Sequence, residues 1–255
     1  MAAVVVSSLA FIVVVLSFYG LFYRHVVGRL GALADRLLAG SSLTARHSQR
    51  DVNDALKLVA AGISQLLFAT GLWLIVGVPV ATASSGLTPA ILGIAMVLGL
   101  AELGAASTLG RAATMIATRS DAMASRLLTE GQGGWMRQFR AVARVAPGGG
   151  ALPVVVLYVT GEEIVFRVVT LQMLSGLGEV WAVMASTTLF VGVQVFGMPC
   201  ARAAVFPMVG SVVVGLTHAW LFLQLPALLP LVLAHSVFLF GALAQTRGSR
   251  VPVAA

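Results

Sequence analysis

Three ionisable residues stand inside a stretch of the sequence that is otherwise apolar from residue 151 to residue 174: Glu162, Glu163 and Arg167. A stretch of this length can cross a bilayer, and each ionisable residue near the centre of a span costs about 2.5–3.5 kcal/mol on translocon-type scales. On a helix, Glu163 and Arg167 share a face with the acid first, so they are predicted to form an ion pair that orients the helix. Glu162 points about 100° away from Glu163. Glu162 therefore has no expected partner on its own helix, and an unpaired carboxylate in a membrane span is a candidate general base.

Four further polar side chains fall within other apolar stretches: Glu102, Gln194, His218 and His235. His235 is expected at a depth comparable to that of Glu162, so a glutamate and a histidine that face each other could activate a water molecule. The alternative for His235 is a hydrogen bond that holds two helices together. Glu102 is predicted in the cytoplasmic half of its span as a partner for Arg167 or for a helix end. His218 is predicted in the outer half of its span with a structural rather than a chemical role.

The composition predicts an all-α, polytopic membrane protein. Of the 255 residues, 59% are hydrophobic and 10% are charged, whereas soluble domains have about 25% charged residues. Apolar stretches long enough to cross a bilayer are placed at 3–23, 58–83, 87–110, 151–174, 180–198, 204–223 and 226–245. The sequence therefore predicts a bundle of about seven transmembrane helices.

Basic residues cluster in alternate connections between these stretches. The connections after the first, third and fifth stretches and the C-terminal tail hold every lysine and arginine except Arg167, and the other connections hold none. The positive-inside rule then places the N-terminus outside and the C-terminus in the cytoplasm. The net charge of +7 is explained by this asymmetry, so no nucleic-acid partner is expected. Lys57 is the only lysine among the sixteen basic residues, which indicates a GC-rich bacterial genome. The expected location of the multi-pass protein is then the plasma membrane.

The chain is predicted to be one integral membrane domain, 1–255, with a cytoplasmic amphipathic linker at 111–149. Within the linker, residues 135–145 place apolar side chains on one helix face and arginines on the other. Two interpretations are open for this helix: it lies on anionic headgroups, or it packs on the protein. A second amphipathic helix is predicted at 26–38.

The motif positions in the second half of the chain resemble the CPBP (Abi) family, which contains type II CAAX prenyl endopeptidases and bacteriocin-processing proteins. Family members carry three motifs: E-E-x-x-x-R, F-x-x-x-H and H-x-x-x-N. The first is intact at 162–167, the second aligns with 190–194, and the third begins at His235. The resemblance covers about 150–245 and implies a four-helix core with the activity of an intramembrane endopeptidase.

Two positions depart from the family motifs: Gln194 replaces the histidine of the second motif, and Leu239 replaces the asparagine of the third. Carried over from the family, Glu162 would activate the attacking water and His235 would help to hold the oxyanion, with Glu163 and Arg167 in support. Gln194 can form hydrogen bonds but cannot accept a proton at neutral pH, and Leu239 can do neither. Little peptidase activity is expected unless His218 or Glu102 compensates.

Three hypotheses for function follow. The first is an endopeptidase that cleaves a peptide or a prenylated-protein tail at the cytoplasmic side of the membrane. The second is a catalytically degenerate relative that acts as a membrane scaffold or binding protein, and the third is a proton-coupled transporter that uses Glu102, Glu162 and His235. The expected partners are membrane lipid and a peptide or protein substrate. No cofactor and no metal are expected, since Glu162 and one histidine are too few ligands for zinc.

Overall fold

The computed structural model describes residues 2–38, 40–84, 86–120, 123, 136–147, 149–196, 198 and 201–248. These residues form eleven α-helices and no strand. In chain order they are α1 Ala2–Ser17, α2 Arg24–Leu38, α3 Ser42–Arg46, α4 Gln49–Val76, α5 Pro89–Thr118, α6 Met136–Val145, α7 Ala151–Glu163, α8 Thr170–Leu174, α9 Glu179–Phe196, α10 Ala201–Gln224 and α11 Leu228–Gly248. The predicted all-α class is confirmed.

Six helical segments are long and apolar enough to cross a membrane: Val5–Leu38, Gln49–Val76, Pro89–Thr118, Glu179–Phe196, Ala204–Gln224 and Leu228–Gln245. They correspond to six of the predicted apolar stretches. The remaining one, 151–174, is helical throughout and differs from the six in containing three ionisable residues. The polytopic membrane bundle is thus confirmed, and the orientation of the chain stays a prediction.

Helix α6 is the predicted amphipathic helix of the linker, and its apolar face packs on the protein. Met136, Phe139 and Val142 are buried, and α6 contacts α4 and α7. Two arginines on its polar face pair with α4: the Arg137 Nε atom lies 2.8 Å from the Asp54 carboxylate, and an Arg144 nitrogen lies 2.5 Å from that of Asp51. The structure therefore favours packing on the protein over headgroup binding for this apolar face. Trp135 lies outside the described residues.

A π-helical turn, Ile164–Val169, joins α7 to α8 directly after the two glutamates. The Thr170 amide donates to the Val165 carbonyl, five residues earlier. The Phe166 carbonyl instead accepts a hydrogen bond from the Ser186 hydroxyl of α9. Turns of this kind occur often at functional sites. Here the turn carries Arg167 and sets its position relative to Glu163.

Glycines let the helices around this turn approach one another closely, as is typical of membrane bundles. On α7, a Cβ at Gly161 would lie 2.9 Å from the Gln65 Cγ atom of α4. On α5, a Cβ at Gly99 would lie inside van der Waals contact of the Ala234 carbonyl and 3.0 Å from the Val237 Cβ atom. Each contact lies next to an ionisable residue in the sequence, because Gly161 precedes Glu162 and Ala234 precedes His235.

We expect Gly99→Ala to lower the free energy of unfolding by about 1–3 kcal/mol, because the added methyl group meets backbone that cannot move without separating α5 from α11. The measurement is unfolding in mixed micelles. Gly104→Ala is the matched control on the same helix, since a Cβ there has nothing within 4 Å. Equal stability of the two variants would contradict the close approach of α5 and α11.

Candidate active site

Side chains from three helices meet at one cavity of about 70 Å³. Glu162 comes from α7, Gln194 from α9 and His235 from α11, and all three line its wall. The volume holds more than one water molecule. Most of the remaining lining is apolar and includes Phe190 and Phe238. The cavity therefore combines a few polar groups with an apolar wall, as small-molecule and peptide sites usually do.

The Glu162 carboxylate is fixed by neighbours on both sides. The Gln194 Nε2 group donates to the Glu162 Oε1 atom at 3.3 Å. The Tyr158 side chain, one turn earlier on α7, forms a further hydrogen bond with Glu162. The Oε2 atom faces the His235 Nε2 atom at 3.7 Å. This gap is too long for a direct hydrogen bond.

The carboxylate closest to His235 is that of Glu163. The His235 Nδ1 atom lies 2.6 Å from the Glu163 Oε1 atom. A neutral histidine that donates its Nδ1 proton to Glu163 has an unprotonated Nε2 atom, and this atom faces Glu162. The facing of Glu162 and His235 expected from sequence is present, but Glu163 is the residue that orients the imidazole ring.

Glu163 and Arg167 form the expected pair, and both side chains are completely buried. The Arg167 Nε atom lies 3.5 Å from the Glu163 Oε2 atom, off the direction of a hydrogen bond. An Arg167 terminal nitrogen is 3.5 Å from the Val214 carbonyl oxygen of α10. The guanidinium carbon lies 4.3 Å from the centre of the Phe190 ring, a cation–π distance. The arginine thus contacts α9 and α10 as well as Glu163 of α7.

Glu102 and His218 join this cluster, contrary to the places predicted for them. The His218 Nε2 atom lies 3.2 Å from a Glu102 carboxylate oxygen, and its Nδ1 atom lies 3.2 Å from the Glu163 Oε2 atom. Thr217 donates to the same Glu102 carboxylate. The prediction that Glu102 and His218 lie in opposite halves of the membrane is therefore wrong, because their side chains meet at one depth. His218 forms a hydrogen bond with Glu102 on a neighbouring helix, which agrees with the structural role expected for it, and Glu102 pairs with His218 rather than with Arg167. The available sequence signal was that each is an ionisable residue in an apolar stretch.

Glu163, His218 and His235 bring three metal-ligand atoms within 4.8 Å of one another, a set that the sequence did not single out. Three protein ligands are usual for catalytic zinc. However, the Arg167 guanidinium contacts the same Glu163 carboxylate and would repel a cation there. The cluster is therefore described more simply as a network of ion pairs, and a metal-free site stays a prediction.

The two departures from the motifs both lie at the cavity. Gln194 occupies the second-motif position and contacts Glu162 as a donor. Leu239 lines the wall one turn after His235 and is buried. It offers no hydrogen bond to a substrate. The cavity thus keeps the glutamate and one histidine of the family arrangement and replaces two polar partners by an amide and an alkyl group.

Comparison with known proteins adds one finding. Residues 146–241 match the family described as type II CAAX prenyl endopeptidase, Rce1-like. No curated protein and no solved structure matches the chain. The matched segment contains all three motif positions, from Glu162 to Leu239, and runs from α7 into α11. The resemblance to the CPBP family is therefore confirmed, and residues 146–241 are similar to the type II CAAX prenyl endopeptidases.

Proposed function

We propose that this protein is an intramembrane endopeptidase that cleaves a peptide or a prenylated-protein tail at the cytoplasmic side of the membrane. The observation that carries the proposal is the convergence of Glu162, Gln194 and His235 on one cavity with room for water. The match of residues 146–241 to a family of endopeptidases supports the reaction class.

In the proposed reaction, a water molecule lies in the cavity beside the Glu162 Oε2 and His235 Nε2 atoms, which are 3.7 Å apart, and forms a hydrogen bond with each. Glu162 takes a proton from this water as its oxygen attacks the scissile carbonyl carbon. His235, oriented by Glu163, accepts a hydrogen bond from the attacking water at its unprotonated Nε2 atom. This role differs from the oxyanion donor that the family resemblance implies. When the carbon–nitrogen bond breaks, Glu162 returns the proton to the leaving nitrogen, and the proton balance closes.

The cytoplasmic side is supported by the course of the cavity. It reaches Met136 at the start of α6 and Gln245 near the end of α11. In the orientation predicted by the positive-inside rule, both residues lie at the cytoplasmic end of the bundle. A peptide tail that emerges from a membrane-anchored protein on that side would meet this opening first. The apolar wall of the cavity suits a small hydrophobic side chain beside the scissile bond, and the volume of about 70 Å³ leaves a lipid chain outside the cavity.

The degenerate-relative hypothesis is favoured by one specific observation, the presence of Gln194 and Leu239 at the cavity. Loss of one oxyanion donor lowers the rate about 10²–10³-fold in other enzymes. In that case the cavity would bind a tail without cleaving it. The transporter hypothesis has less support. It requires Glu102 to exchange protons with water at one end of a relay, and Glu102 is only 2% exposed.

A cleavage assay in proteoliposomes tests the proposal. The substrate is a fluorogenic peptide with a prenylated cysteine fourth from its C-terminus, and the same peptide without the lipid is the comparison. Release of the C-terminal tripeptide supports the endopeptidase. Binding of the lipidated peptide without any release supports the degenerate relative instead. Absence of both binding and release would overturn the proposed function.

We expect Gln194→His to raise kcat at least tenfold, because an imidazole beside Glu162 can accept a proton and glutamine cannot. The same assay measures this effect. Gln194→Leu is the matched variant, which removes the 3.3 Å hydrogen bond to Glu162 and is expected to lower kcat. If neither variant changes the rate, Gln194 takes no part in the reaction.

A further inference from the structure

His218 lies between two buried carboxylates on different helices. One ring nitrogen forms a hydrogen bond with the Glu102 carboxylate of α5. The other lies 3.2 Å from the Glu163 Oε2 atom of α7, an ion-pair distance that is off the direction of a hydrogen bond. The His218 side chain is completely buried, and the Glu102 side chain is 1% exposed. Two carboxylates at ion-pair distance favour the positively charged ring, which carries a proton on each nitrogen. The geometry is that of an imidazolium held by two acids.

The charges of the whole cluster lead to the same conclusion. Three carboxylates are buried there, those of Glu102, Glu162 and Glu163, against one permanent cation, Arg167. An uncompensated charge in such an environment is costly. His218 touches two of the three acids, whereas His235 is held through Nδ1 by Glu163 alone at hydrogen-bond distance. His218 is thus placed to supply the second positive charge.

We propose that His218 and Glu102 form a positioning pair that holds Glu163 and, through it, the catalytic His235. This role rests on the proposed endopeptidase function for its kinetic consequence. Glu163 uses its Oε1 atom for His235 and its Oε2 atom for His218 and Arg167. The pair fixes the rotation of the Glu163 carboxylate and thereby the direction of the His235 ring.

Glu102 extends this support beyond the part of the chain that matches the family. It belongs to α5, which precedes the matched residues 146–241, and α5 packs on both α10 and α11. The Thr217 hydroxyl donates to Glu102 and keeps the carboxylate turned toward His218. The first half of the protein therefore contributes directly to the geometry of the site in the second half.

The kinetic test compares His218→Gln and Glu102→Gln with wild type in the proteoliposome assay. Because such supporting partners commonly contribute 10–100-fold, each variant is expected to lower kcat by about that factor and to leave KM within about twofold. His25→Gln is the control, since His25 is exposed and lies outside the cluster. A kcat within twofold of wild type for both variants would overturn the proposal.

The spectroscopic test does not depend on turnover. In protein labelled with ¹⁵N in the histidine rings, His218 is expected to show protons on both nitrogens at neutral pH, and one of them is lost in Glu102→Gln. The His235 Nδ1–H signal is expected in wild type and in His25→Gln, and absent or shifted in His218→Gln. A singly protonated His218, or an unchanged His235 signal, would overturn the pairing even if no substrate is cleaved. Failure of cleavage with these signals intact would count against the endopeptidase alone.

Discussion

Glu162→Gln is expected to lower the rate of peptide cleavage by about 10³-fold, the middle of the range for loss of a general base. The amide keeps the size of the side chain and an oxygen that can accept from Gln194, but it cannot take a proton from water. KM is expected to change little, because the variant alters neither the apolar wall of the cavity nor its opening. The measurement is kcat and KM for the prenylated peptide in proteoliposomes.

The control for this variant is Glu179→Gln, the same change at an exposed position at the start of α9. It is expected to cleave at the wild-type rate. Unfolding curves for both variants show whether the fold is retained. Cleavage that survives in Glu162→Gln would sink the proposed mechanism, and loss of cleavage in Glu179→Gln would show that the assay reports folding rather than chemistry.

The transmembrane architecture could be predicted from the sequence because it depends on local composition. An apolar stretch of about 20 residues has few alternatives to a membrane-spanning helix. The placement of Glu162 beside Gln194 and His235 also followed from the sequence, although only through the spacing of family motifs. The local pattern alone left His235 open to two roles.

The pairing of Glu163 with Arg167 was predicted, but its partners on other helices, His218 and His235, were not, since they depend on how the helices rotate and shift against one another. A depth inferred separately for each span placed Glu102 and His218 in opposite halves of the membrane. Packing of α5 against α10 brings their side chains within 3.2 Å. The close packing that allows this contact depends on small residues, whose effect on helix position no single span reveals.

The π-helical turn after Glu163 and the packing of α6 were likewise beyond the sequence pattern. Periodicity predicted a helix at both places, and both are helical. The widened turn is stabilised by tertiary contacts such as the Ser186 hydrogen bond to the Phe166 carbonyl. The arginines of α6 could have bound headgroups, and only the positions of Asp51 and Asp54 on α4 show that they pair within the protein.

Arg167→Ala is expected to lower the free energy of unfolding by about 3–5 kcal/mol, because it leaves buried acids without their permanent cation. The Glu163 carboxylate would retain His218 and His235 as its neighbours. The variant also removes the guanidinium from the Phe190 ring and from the Val214 carbonyl. Unfolding in mixed micelles and the monodisperse fraction after solubilisation measure the loss.

Arg111→Ala is the matched control, since Arg111 is an exposed arginine on α5. It is expected to unfold at the wild-type free energy. The double variant Glu163→Gln/Arg167→Met separates charge from packing. Replacement of both members of a buried pair is commonly near neutral, whereas removal of one is not. The double variant is therefore expected to regain most of the stability lost in Arg167→Ala. If it is no more stable than Arg167→Ala, the arginine acts through its packing, and the buried acids do not depend on its charge.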